Sequence, residues 1–368
     1  TNYAIDGSTG ASRQGFRPTR IGNPDAKWET NVTTNVGFDL AMLDNKLEIV
    51  FDWYSKVTDD LLFDPELPGT AGAAGRPFVN IAKMKNTGID LQMIYRQTFD
   101  NSLKFEGNVT FTTYNNEIQT IAPGVPYFDW GGSRIGSFNR NMEGSPMSSF
   151  FGYKVIGLFQ DDAEVASAPA QDGKEPGFFR YADINGDNVI NQNDRTFIGN
   201  PNPDFTYGLN LSLEYKGFDL TTFLYGSSGN DIFNYNKWWT DFWPSFQGQK
   251  STELLNESWT ETRTGASVPK ASNKSNFSTN TQASSYYIEN GSFLRMKNIQ
   301  LGYNLPKNIF SKVGLSSARI YIQGVNLLTA TKYSGLDPEL GGDDRSFGVD
   351  AGNYPAAKQI VVGVNIGL

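Results

Sequence analysis

The sequence holds no histidine and no cysteine among its 368 residues. That excludes imidazole bases, thiol nucleophiles, His/Cys metal sites and disulfides. A basic surplus is missing too. Lys+Arg 31 against Asp+Glu 39 leave a net charge of −8, which gives nothing to hold a phosphate backbone, so no nucleic-acid partner is expected. No stretch approaches the roughly 18–20 consecutive apolar residues of a transmembrane helix. No signal peptide is recognisable, and the chain opens TNYAIDGSTG, polar and without an initiator Met. The expectation is a mature product or a piece of a longer chain. Aliphatic residues are scarce: hydrophobic residues make up 38%, yet Phe 26, Tyr 17 and Trp 7 bring the aromatic share to 14%, beside 38 glycines. This balance describes an all-β protein. Length allows two or three domains at roughly 100–200 residues each, or one large barrel.

What is present is alternation. Ile360, Val362, Val364, Ile366 and Leu368 fall on one face of the last segment, and Val361, Gly363, Asn365 and Gly367 on the other. Leu47, Ile49, Phe51 and Trp53 alternate with Glu48, Val50, Asp52 and Tyr54. Similar patterns run through 89–96, 103–112, 205–215 and 218–224. A period of two marks strands with one apolar and one polar face. About ten are expected, near 28–42, 46–60, 84–98, 103–116, 149–160, 204–216, 217–228, 285–304, 317–329 and 357–368. Tight turns at 44–45, 100–102 and 216–217 join strands on one side. Long connections, about 62–83, 117–148, 161–203, 229–284 and 330–356, lie on the other. Short turns on one rim and long loops on the other are the asymmetry of an outer-membrane barrel. Glu48, Asp52, Asp90, Arg96, Lys104, Glu106, Asn108, Asn210 and Glu214 share a face that must be wet. A sandwich with a dry core looks the same locally. The placing of Trp53, Tyr54, Tyr95, Phe99, Tyr215, Phe218 and Tyr303 near strand ends favours the barrel, because aromatic girdles sit at that level. The fold expected is therefore an all-β transmembrane antiparallel barrel portion with long extracellular loops.

Two loop features carry chemistry. Asp183, Asn185, Asp187, Asn191 and Asp194 occupy positions 1, 3, 5, 9 and 12 of a twelve-residue loop, with the Val189 carbonyl at position 7. That is the oxygen spacing of a calcium loop. Asn188 stands where glycine is usual, and Asp194 where a bidentate Glu is usual. The competing reading is an Asn/Asp-rich turn that bonds its own backbone. Calcium, if bound, is structural. Separately, Trp238, Trp239 and Trp243, and also Tyr127 and Trp130, lie in long loops beside amides and carboxylates. They suit contact with a sugar ring or peptide side chain, or else packing against other loops or a partner. No nucleophile–base pair stands out, so no enzyme is expected.

The segments Gly177-Phe178-Phe179-Arg180-Tyr181-Ala182-Asp183-Ile184-Asn185-Gly186-Asp187 and Asp194-Arg195-Thr196-Phe197-Ile198-Gly199-Asn200-Pro201-Asn202-Pro203-Asp204 resemble the C-terminal signature of SusC/RagA-type TonB-dependent outer-membrane transporters of the Bacteroidetes. Asn23-Pro24, Lys27-Trp28-Glu29, Phe51-Asp52-Trp53-Tyr54, Gly291 to Ile299, Asn326-Leu327-Leu328 and Gly335 to Glu339 resemble the same family, in order along the chain. The resemblance implies a 22-stranded barrel around an N-terminal plug, a SusD-like lipoprotein lid, and energy delivered through TonB for import of glycan or oligopeptide. The plug, the TonB box and the earlier strands have no counterpart in these residues, so the remaining barrel and plug, in outer-membrane lipid, are expected partners. The alternative is a calcium-stabilised extracellular β-sheet module that binds glycan without transport. A hydrolase is a third reading, and it lacks a recognisable acid/base pair.

Overall fold

The computed structural model describes residues 2–4, 12–14, 19–63, 70, 74–129, 133–310, 314–340 and 346–367. Nine long strands form one antiparallel sheet: β1 (Thr30–Met42), β2 (Leu47–Phe63), β3 (Val79–Thr98), β4 (Lys104–Ile121), β5 (Phe205–Tyr215), β6 (Phe218–Ser228), β7 (Phe293–Asn304), β8 (Ser317–Thr331) and β9 (Gln359–Gly367). Each strand pairs with its neighbours in sequence, so the order is a pure up-and-down meander with β1 and β9 at its two edges. That topology follows from the turns. Lys216 and Gly217 both have positive φ (46° and 87°), as a two-residue hairpin turn matching the right-handed twist requires. Leu43, Asp44 and Asn45 (φ 56°, 55° and 62°) reverse the chain between β1 and β2. These turns, the 99–103 connection and the segment 305–316 share one rim. The described parts of connections 64–78, 122–204, 229–292 and 332–358 share the other.

The register extends the alternation across the sheet. Phe105 pairs with Leu213, Leu213 with Leu220, Leu220 with Leu301, Leu301 with Ile322 and Ile322 with Val362. On the same face of the sheet Leu40, Ile49, Met93, Val109 and Leu209 form a parallel row. These apolar rows do not enter a core. Ile360 and Val362 are 73% and 74% exposed, and Val36, Phe38, Leu301, Ile320, Ile322, Val364 and Ile366 are exposed as well. At the short-turn rim Phe218 and Tyr303 pack with ring centroids 4.4 Å apart, next to Tyr215. Trp53 and Tyr54 sit further along β2, opposite Ile89 and Gly88. Tyr54 turns inward, over a glycine whose added Cβ would lie 2.5 Å from its hydroxyl.

Among the described residues the wall therefore has nine strands, against an expectation of about ten. The segment 149–160 is absent from it. Phe150–Tyr153 pairs instead with Arg195–Gly199, and Val155–Leu158 with Phe179–Tyr181. Phe150, Phe151, Gly152 and Tyr153 are all buried, with no wet face. Likewise 285–304 divides: Ser285–Tyr287 is a 3-10 turn, Ile288–Asn290 pairs with Asp231–Asn234, and the wall strand begins at Phe293. The described parts of the long connections 122–204, 229–292 and 332–358 gather into one cap. Phe138, Phe150, Tyr153, Phe179, Tyr181, Phe233, Tyr235, Trp238, Trp259 and Tyr287 form its aromatic core, with Phe138 stacked on Phe233 at 4.7 Å and Phe233 on Tyr287 at 5.3 Å. Among the described residues most of the buried aromatic side chains lie in the loops, beyond one rim of a sheet with one apolar and one polar face.

Candidate functional site

The polar face of the wall is built from the residues that alternation opposes to the apolar rows. Arg96 donates to Glu106 at 2.8 Å and to Glu48 at 2.7 Å, tying three adjacent strands. Lys104 pairs with Glu214 at 2.9 Å, and Arg319 Nε donates to Asp219 at 2.9 Å. Above this charged belt Gln92 donates to Asn108 and Thr112 to Asp90. Exposed pairs of this kind contribute little stability each. Their number and facing mean that this side of the sheet meets water. A sandwich interior could not hold them unpaired with solvent at acceptable cost.

The cap sorts the candidate aromatic residues. Trp238 is 6% exposed inside the aromatic core, its indole N–H donating to the Asn280 carbonyl at 2.8 Å, so it packs the loops. Trp239 lies edge-on to it at 4.7 Å, half-buried. Trp243 is 46% exposed. Tyr127 is exposed and carries the Arg140 guanidinium 3.4 Å over its ring, while Arg140 forms a bidentate pair with Asp129 at 3.0 Å. Trp130 lies outside the described residues. Within the cap, Tyr286 donates to Asp241 at 2.7 Å. Burial, reinforced by that carboxylate, pushes its phenol well above the ordinary tyrosine range.

Loop 183–194 folds as a run of Asx turns. Asp183 accepts the Gly186 and Asn188 N–H groups, Asp187 accepts that of Val189, and buried Asp194 accepts those of Ile184 and Asn191. Asn188 takes the left-handed conformation at φ 64°, as its position in the loop demands. Asn185 Nδ2 donates to Asp187, and Asn191 Nδ2 to the Val189 carbonyl. Among the described residues no group of three acidic side chains gathers where it could hold a metal ion. In this conformation the loop's oxygens accept its own N–H groups.

One charged cluster was not anticipated. Arg295, on the inner face of β7 and 4% exposed, donates from Nε to Thr329 at 2.9 Å, from Nη1 to Glu339 at 2.6 Å and from Nη2 to Asp337. Lys297 also donates to Glu339. The acidic partners stand on the 332–358 connection. Beside them a cleft of about 390 Å³ opens between Tyr114, Tyr225 and Phe293 of the wall and Pro338, Leu340 and Phe347 of that connection. The signal in the sequence was two charges separated by one residue, Asp337 and Glu339, with nothing local to pair them.

No protein-family model matches the chain. It is 32% identical over 377 residues to TonB-dependent receptor P3 of Formosa agariphila, an alignment covering 99% of this chain and 36% of that protein. With TonB-dependent receptor SusC of Bacteroides thetaiotaomicron it shares 26% identity over 356 residues, 94% of this chain and 32% of that one. The solved structure of the RagAB peptide transporter superposes with a TM-score of 0.81 at 27% identity, covering 100% of this chain and 38% of the solved chain. The chain thus spans about a third of the length of the proteins it matches.

Proposed function

Because the chain belongs to the SusC/RagA family of TonB-dependent receptors, outer-membrane barrel proteins, we propose that it supplies nine wall strands and the extracellular cap of an importer of large nutrients. The observation that carries this reading is the polarity of the sheet. Apolar rows are exposed on one face, and a charged, hydrogen-bonded belt occupies the other. Hydrocarbon on the first side and a wet lumen on the second satisfy both. A soluble glycan-binding module would leave the rows from Leu40 to Val362 facing water, far beyond the patch a soluble monomer tolerates.

The remainder of the importer follows from physics and from the relatives. The edges β1 and β9 each present unpaired N–H and C=O groups, which lipid cannot satisfy. Further wall strands therefore pair with them, around a plug through which TonB delivers energy. A SusD-like lipoprotein lies over the cap, where Trp243, Phe246 and Leu255 are exposed. Glycan or oligopeptide is the cargo, and the chain performs no bond chemistry. Uptake by cells of labelled oligosaccharides and oligopeptides, with the receptor intact and with the coding region for these residues removed, tests the reading. TonB-dependent uptake of one class that disappears with the deletion supports it. Undiminished uptake of both classes refutes it.

Calcium is proposed solely as a structural ligand of loop 183–194. Binding requires the Asn185 and Asn191 amides to turn away from Asp187 and the Val189 carbonyl. Calorimetric titration of the intact receptor against its Asp183→Ala, Asp187→Ala variant decides it: equal heats from both reject the site.

A further inference from the structure

The 333–340 segment is held to the inner wall in a manner unlike the rest of the cap. Elsewhere the connections are joined by aromatic rings buried against one another. Here the attachment to the wall is ionic: one guanidinium of β7 grips Asp337 and Glu339 together, and Lys297 adds a second cation to Glu339. Leu336, at the turn of the segment, projects into solvent. At its start, Ser334 donates to Glu289 from both N and Oγ at 2.8 Å, and the Tyr333 hydroxyl donates to Asp350 at 2.6 Å. Both contacts lie within the cap. Asp337 itself also accepts the Ala356 N–H at 2.8 Å. The segment is therefore anchored to the cap at its start and, through Asp337, at Ala356, and it is clamped to the wall at Asp337 and Glu339 by ion pairs.

Two cations meet two carboxylates, so the cluster is neutral when closed. Arg295 alone touches both carboxylates, so removing it leaves Asp337 without a cationic partner, which is strongly unfavourable. The three ion pairs accordingly depend on this one guanidinium. A planar guanidinium satisfies two carboxylates at fixed angles, which an ammonium cannot.

We propose that Arg295 is the positioning residue of a luminal strap, segment 333–340, which it latches against the inner wall, and that releasing this latch moves Pro338 and Leu340 away from Tyr114, Tyr225 and Phe293 and opens the cleft they enclose. The proposal rests on the transport reading for its purpose, because a strap latched to the luminal wall matters only where something passes. Its geometry can be tested without transport.

The test uses the full receptor in outer-membrane vesicles, with spin labels at Leu336→Cys on the strap and Leu255→Cys on the cap helix 252–257. Both positions are exposed, and the 368 residues contribute no other cysteine. Dipolar spectroscopy is expected to give one narrow distance with Arg295 in place. In Arg295→Gln the narrow population falls by at least half and a displaced one appears, with Arg295→Lys intermediate. Retained heat-modifiable migration establishes that each variant is a folded barrel. If Arg295→Gln does not assemble, the Asp337→Asn, Glu339→Gln pair removes the same contacts from the strap side and carries the same expectation. Superimposable distance distributions in the parent and a folded latch variant overturn the proposal. A displaced strap with unaltered cargo uptake leaves the latch standing and separates it from the transport reading.

Discussion

Trp238 and Trp243 come from one short stretch of sequence and have opposite fates. The first is sealed among Tyr235, Trp239 and the Asn280 carbonyl, and the second lies open on the cap. Replacing a buried indole by alanine costs about 3–5 kcal/mol through lost burial and the cavity left behind. An exposed one away from such packing changes stability by about 0.5 kcal/mol or less. Trp238→Ala is therefore expected to make the cap protease-sensitive at temperatures the parent tolerates, and Trp243→Ala to leave that profile unchanged. Limited proteolysis of the receptor in membranes across a temperature series measures both. Nothing in the sequence around these two residues separates them, since each is flanked by polar and aromatic neighbours. Only the fold of the connection around them does. The same holds for Arg295: a bulge between Met296 and Asn298 reverses the alternation that puts Leu301 outside and so turns Arg295 inward, and its acidic partners are more than forty positions away in a connection without periodicity.

Elements divide by what their faces meet. Strands with one wet and one apolar face announced themselves through a period of two. β2, β3, β5, β6 and β9 lie where the alternation placed them, and the polar set from Glu48 to Glu214 shares the inner face. The strand 150–153 was misassigned to the wall because a fully buried strand has no alternation, and FFGY carries the same apolar weight whether it faces lipid or a loop core. Small cap strands also depend on single ion pairs. Lys237 and Glu289 meet at 2.8 Å between the 231–234 and 288–290 region and the helix that follows. Burial opposes the Glu289 charge, but the Lys237 hydrogen bond and charge, with Ser334, outweigh it and hold the carboxyl below the ordinary range. A carboxylate depressed on folding contributes stability that is fully present above its unfolded pKa and is lost as pH falls through the folded one. The parent cap should thus keep its protease resistance until the pH drops below about 4, the usual carboxylate region. In Lys237→Met burial acts unopposed by the cation and raises the carboxyl instead, so Glu289 destabilises the cap where it is ionised: resistance should lie below the parent's at neutral pH, and the difference should narrow as pH falls. Proteolysis of both proteins across a pH series, with an acid-stable protease, checks whether the gap closes toward acid.

For the whole molecule, the fold class was legible because lipid and lumen impose a rule on every strand, and nine strands repeat it. The cap was not legible, since its core is assembled from three connections distant in sequence, each of which reads alone as a polar loop with scattered rings. The open edges β1 and β9 place the described chain within a larger wall, consistent with its covering about a third of its relatives. The central claim is that the rows ending in β9 face hydrocarbon while the alternate residues face a wet lumen. A single-cysteine spin-label scan of positions 360 to 366 in the membrane-embedded receptor tests it most directly. Collision with oxygen, which concentrates in lipid, is predicted to peak at Ile360, Val362, Val364 and Ile366. Collision with a water-soluble nickel chelate is predicted to peak at Val361, Gly363 and Asn365. Two profiles in phase, or uniformly low accessibility to both reagents along the strand, would contradict the account.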